Sequence, residues 1–151
     1  AIHVAAIVVW IGGVAMVTTV LLPAVRQAER PEDRLAAFER IERRFARQAR
    51  ISTLIAAASG FYMVDRMDMW SRFATGEGWW LDAMVFVWAV FTFMLFVAEP
   101  FFLDRWLEGR AAVDPEGTFR LVQRLHYFLL AISLGAVLGA TAGVNGLSFG
   151  D

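Results

Sequence analysis

The 151-residue chain contains no cysteine, so disulfides, iron–sulfur clusters and thiolate metal sites are all excluded. Lysine is missing as well, and every basic side chain is an arginine. Charge is scarce: 19% of residues carry it, with a formal net charge of −1, which argues against a nucleic-acid partner in need of a basic surface. Against these shortages stands a 58% hydrophobic content, more than the surface of a soluble domain of this size can carry.

The charges collect in three blocks, roughly 26–50, 65–77 and 99–124, and leave four long apolar runs. About 20 apolar residues at ~1.5 Å each cross the hydrocarbon of a bilayer. The runs predict spans at about 1–24, 51–69, 79–103 and 121–144. They leave no room for a separate soluble domain, so residues 1–151 read as one transmembrane domain. The expected fold class is all-α, an integral membrane four-helix bundle with a short amphipathic cytoplasmic helix between spans 1 and 2. Pro31-Glu32-Asp33 opens that amphipathic segment, with proline and acids in the first turn. Leu35, Phe38, Ile41 and Phe45 then recur at helical spacing, either along the membrane surface or continuing into the second span. Ala1 in place of methionine, followed by the apolar Ile2, implies that the chain starts partway into a helix with a short leader missing or processed. A cleaved signal peptide fits less well, because the first run is too long and leads directly into an arginine-rich loop.

Orientation follows from the arginines. The first loop holds eight and the third holds four, against Arg66 and Arg72 alone in the second. Positive residues stay cytoplasmic, which places the termini and the 65–78 loop in the periplasm of a bacterial inner membrane. Trp70, Trp79 and Trp80 suit an aromatic belt on the periplasmic face, with Trp106 on the cytoplasmic one.

Ionisable residues inside a span are costly and so become functional candidates: here His3, Asp82, Glu99 and His126. Asp82 and Glu99 lie about one turn from the ends of the third span, where a solvated helix end explains them. Two facing histidines are the usual way a helical bundle holds b-type haem. Topology opposes that simple arrangement: His3 lies toward the periplasmic end of its helix and His126 toward the cytoplasmic end of another, ~20 Å apart along the membrane normal. One iron cannot bind both, so each is a separate candidate ligand. The competing reading is a histidine hydrogen-bonded within the bundle.

Met63, Met67 and Met69 cluster where the second helix leaves the membrane. Thioethers select Cu(I), methionines four apart share a helix face, and His3 at similar depth would complete a copper site, with Asp65 and Asp68 drawing a cation to its mouth. Methionine also fills gaps in apolar helices without any metal. Gly135, Gly139 and Gly143, with Gly12 and Gly13 in the first span, form small-residue faces that let helices approach closely or dock a partner subunit or a second copy.

His3, Trp10, Gly12-Gly13 and Pro23, then the arginine-rich loop, Phe45 and Gly60, resemble the copper-resistance-D-like family of small bacterial inner-membrane proteins. The resemblance covers residues 1–60 and thins across the third and fourth spans. It implies a helical bundle linked to copper handling, with haem b in some relatives, and carries His3 over as a ligand; His126 has no family counterpart. Two functions are expected: a redox metal protein with b-haem or copper near the periplasmic face, or a cofactor-free accessory subunit of a larger respiratory or photosynthetic complex. No nucleophile with a paired base supports an enzyme, and no inverted repeat supports a transporter.

Overall fold

The computed structural model describes residues 1–75 and 78–145. They form helices with no strand among the described residues: α1 (Ile2–Ala28), α2 (Arg34–Arg66), the short α3 (Trp70–Thr75), α4 (Trp79–Ala111) and α5 (Pro115–Val144). α1 packs against α2 and α5, and α4 packs against α5 and α2. Three of the helices, α1, α4 and α5, are long and apolar enough to cross a membrane. Their outer faces present Val4, Val8, Phe86, Phe101, Phe128 and Leu138, each more than half exposed. A water-soluble monomer rarely carries apolar surface on that scale, whereas a membrane protein needs it.

The sequence dictates where several of these helices begin and bend. At the start of α5, Asp114 accepts a hydrogen bond from the Gly117 amide at 2.9 Å, Pro115 fills the first turn and Glu116 meets the positive end of the dipole. α1 and α4 each widen into a π-helical stretch, at Val17–Leu21 and Met94–Leu103. Each stretch precedes or contains a proline, Pro23 or Pro100, which has no amide hydrogen and clashes with the turn before it. In α4 the carbonyl five residues before Pro100 is that of Leu95, and Arg50 Nε donates to it at 2.9 Å. The same guanidinium reaches Glu99 with Nη2 at 3.0 Å. One arginine of α2 therefore satisfies both the carbonyl that proline orphans and the acid beside it.

Of the two courses open to the amphipathic segment between the first two spans, the structure takes the second: it is not a separate short helix but continues into the apolar stretch. Residues 34–66 form one continuous helix of 33 residues. No proline or glycine interrupts the segment between Phe45 and Ile51, and its apolar side joins a core instead of lying on a surface: Leu35, Ala37 and Phe38 pack with Val17, Leu22, Leu107 and Phe119. The expected second span also shortens. Uncharged residues run only from Ile51 to Val64, fourteen positions or ~21 Å, and Asp65, Arg66 and Asp68 lie beyond. α2 is accordingly not among the helices long and apolar enough to cross a bilayer. α4 and α5 also extend beyond the expected third and fourth spans, α4 past 103 to Ala111 and α5 back from 121 to Pro115.

A second core, around Trp10, Val14, Ala56, Val87, Phe91 and Leu130, fills the centre, with Trp10 meeting Phe91 edge-on at 5.0 Å. Glycines set how close the helices come. The Phe45 ring occupies the position a Cβ on Gly13 would take, and the Trp79 and Trp80 rings sit over Gly139 and Gly143. The glycine stripe of α5 is therefore largely filled by tryptophans of its own chain. Gly12 and Gly135 face open space.

Candidate functional site

His3 lies in the first turn of α1 and leans on a face of α2 made of small residues. Its Nδ1 is 2.9 Å from the Ala56 carbonyl and 3.1 Å from Ser59 Oγ. A carbonyl only accepts, so Nδ1 carries the proton and Nε2 keeps its lone pair. A carbonyl that accepts from one ring nitrogen fixes the tautomer and the orientation of the imidazole. Gly60 makes the approach possible: a Cβ there would stand 3.0 Å from the ring's Cε1.

Met63 follows Ser59 by four residues on α2, one turn beyond the His3 contact, and Met67 is the residue that caps the C-terminal end of that helix. Met63 is 40% exposed and Met67 65% exposed, so both sulfurs are accessible. Met69 instead packs against Val64, Trp80 and Leu81. An imidazole nitrogen and thioether sulfurs are donors suited to Cu(I), and His3 with Met63, the methionine one turn from its contact, are the residues that could hold it. Asp65 accepts from Trp70 Nε1 at 3.4 Å, and Asp68 takes a positive φ of 51° in the turn that ends α2. Asp82 sits exposed in the first turn of α4, where a carboxylate complements the helix dipole.

His126 is in the other half of the protein. Its Nδ1 donates to the Val122 carbonyl at 2.9 Å, its ring meets Phe38 edge-on at 5.4 Å, and its backbone carbonyl lies 3.5 Å from Thr18 Oγ1. Thr18 is fifteen residues beyond His3 on α1, ~22 Å along the axis, so the two histidines are not brought together. His126 borders an internal cavity of about 110 Å³ between α1, α2, α4 and α5. That volume admits several waters. It is well below the ~300 Å³ at which small-molecule pockets begin, so the residues packed around His126 do not fit a haem.

Four acids line the same cavity: Glu39 and Glu42 from α2, Glu99 and Asp104 from α4. Only Glu99 was singled out by the sequence. Glu39 and Glu42 were not singled out, although they continue the stripe Leu35, Phe38, Phe45, Ala46 and Ala49, and an angular count of that stripe would have found them. Both lie on the arginine-rich side of the apolar stretch of α2. Burial pushes the Glu42 carboxyl up to about 7, helped by the charges of Glu99 and Asp104 and opposed by Arg50. Glu39 is raised by burial first and then by Asp104 and Glu108. Its Oε1 has no partner among the described residues. The cavity is thus lined by a carboxyl that burial pushes up to about 7 and by the His126 ring. Among the described residues no three histidines or acids converge into a metal-holding group. On the same side of the protein, Glu116 ties α5 to α1 through Arg26 and to α2 through Arg34.

No family model, curated protein or solved structure matches the chain.

Proposed function

We propose that the chain is a bacterial inner-membrane four-helix bundle that uses His3 to hold a redox metal centre, copper or b-type haem, near its periplasmic face. Its role would be electron transfer or copper handling. The observation that carries this reading is the anchored ring of His3, with Nδ1 on the Ala56 carbonyl, Nε2 available, an accessible Met63 one turn further along α2 and an accessible Met67 at the end of that helix. The donor set favours copper over haem. A bound copper would supply one-electron chemistry; the chain would supply a fixed imidazole and soft sulfur ligands.

Four crossings require α2 to span with a short apolar stretch. Support comes from Arg50, whose charge is met by Glu99 and by the Leu95 carbonyl at the edge of that stretch. Local thinning of the bilayer accommodates the rest at modest cost. The twelve arginines of the first and third loops favour the cytoplasmic side for that end.

Metal analysis and an absorption spectrum of the protein purified from its own membranes test the centre. Copper at about one per chain, or a reducible haem spectrum, that disappears in His3→Ala supports the reading. A protein with neither group, or with a group indifferent to His3, removes it. Because the chain lacks cysteine, single cysteines at Asp33 and Ser71 report orientation directly: an impermeant maleimide on intact cells should label the second and not the first.

The second reading is a cofactor-free accessory subunit of a larger membrane complex. Gly12 and Gly135 favour it, since both face open space on helices long enough to cross a membrane and would let a neighbouring helix come close. Co-purification of further subunits in mild detergent, together with an empty His3 site, distinguishes it.

A further inference from the structure

A groove of about 650 Å³ runs along the outer surface between α1 and α2, and its two ends differ in chemistry. Ala6 and Ser52, both buried, form its floor, so the two helices lie close and leave a shallow channel. Val9, Ile51 and Ile55 form apolar walls. At one end stand Arg44 and Arg47, exposed and, among the described residues, without an acidic partner. They share a face of α2 with Ile51 and Ile55, because steps of three and four residues return to the same side of a helix. From Arg44 to Ile55 is eleven residues, ~16 Å of helix.

We propose that this groove binds one anionic phospholipid, with its phosphate between Arg44 and Arg47 and an acyl chain along the apolar channel. The inference rests on the reading of this chain as a membrane protein. Charge decides the class of lipid. Two guanidiniums with no acid beside them are uncompensated at that end of the groove, and an anionic phosphate supplies the bidentate partner that guanidinium prefers. Basic pockets between membrane helices recognise anionic headgroups in this way. The apolar length answers the rest of the molecule, because an acyl chain laid over Ile51 and Ile55 needs no hydrogen-bonding partner.

The test is native mass spectrometry and thermal unfolding of the full chain in detergent micelles, titrated with phosphatidylglycerol, phosphatidylcholine or inorganic phosphate. Phosphatidylglycerol should be retained as a single adduct and raise the unfolding temperature, with phosphatidylcholine much weaker. Arg44→Gln with Arg47→Gln should weaken phosphatidylglycerol binding roughly thirtyfold, given about a factor of five per arginine near an anionic lipid. Ala5→Phe, which fills the channel while leaving both arginines in place, should weaken it as well. Arg120→Gln with Arg124→Gln on α5, which also removes two exposed arginines, should not. Equal stabilisation by inorganic phosphate, equal binding of both lipids, or equal loss in the α5 control would each overturn the site. A chain that stays monodisperse without detergent would instead overturn the membrane reading beneath it.

Discussion

Removing Arg50 should destabilise the protein more than any other single arginine, because its side chain serves two partners that have no substitute. Arg50→Met leaves Glu99, 15% exposed, without its cation and the Leu95 carbonyl without its donor. Breaking a fully buried ion pair costs about 3–5 kcal/mol and an exposed one about 0.2–1 kcal/mol. Arg50 itself is 31% exposed, so the pair falls between these limits at roughly 2 kcal/mol. An unsatisfied carbonyl adds about 1 kcal/mol. The expected loss is therefore roughly 3 kcal/mol in reversible denaturant unfolding in micelles. The proline supplies an internal check. Pro100→Ala returns an amide hydrogen to α4 that can reach the Leu95 carbonyl, so in that background Arg50→Met should cost about 1 kcal/mol less. Glu99→Leu in the Arg50→Met background should recover part of the loss, since no unpaired charge remains. The reasoning is refuted if Arg50→Met changes stability by under about 0.5 kcal/mol, or if its cost does not depend on residue 100.

Three further outcomes are expected. Glu42 carries a folded pKa of about 7 against the usual 4.5, so the folded state keeps a proton that the unfolded chain releases. Stability should be greatest below pH 4.5 as far as this group is concerned, and should fall by roughly 3 kcal/mol as pH rises to about 7. Glu42→Gln should flatten that slope, as read from unfolding midpoints across pH. Gly143→Ala places a methyl group in the Trp80 ring and should lose about 1–3 kcal/mol, whereas Gly135→Ala meets open space and should be neutral or gain up to about 1 kcal/mol. Gly60→Ala brings a Cβ to 3.0 Å from the His3 ring; it should weaken copper binding by shifting the imidazole slightly while costing about 1 kcal/mol or less in stability, measured by metal titration and unfolding of the same sample.

Much of the architecture was legible from hydropathy. The runs at 1–24, 79–103 and 121–144 fall inside α1, α4 and α5, since a membrane-crossing helix must be apolar around its whole circumference and that signal survives any rotation. α2 was read less well. Whether its charged half lies apart or continues into its apolar half was open because composition changes at Arg50; backbone hydrogen bonding takes no account of composition and the helix runs through.

The site divides in the same way. His3, Met63 and Met67 could be named as candidates from residue type and spacing, as could the distance that keeps His3 and His126 apart. Sequence also determined the absence of thiol chemistry and the asymmetry of the arginines, both properties of residue identity alone. Only the tertiary structure decided that His3 rests on Ala56, Ser59 and Gly60, that Glu39 and Glu42 turn inward toward Glu99 and Asp104, and that Arg50 caps the carbonyl freed by Pro100. The physical reason is that helix rotation and axial register are set by how neighbouring surfaces interlock. A glycine that admits a ring, or a proline that frees a carbonyl, acquires its meaning only when another helix is beside it.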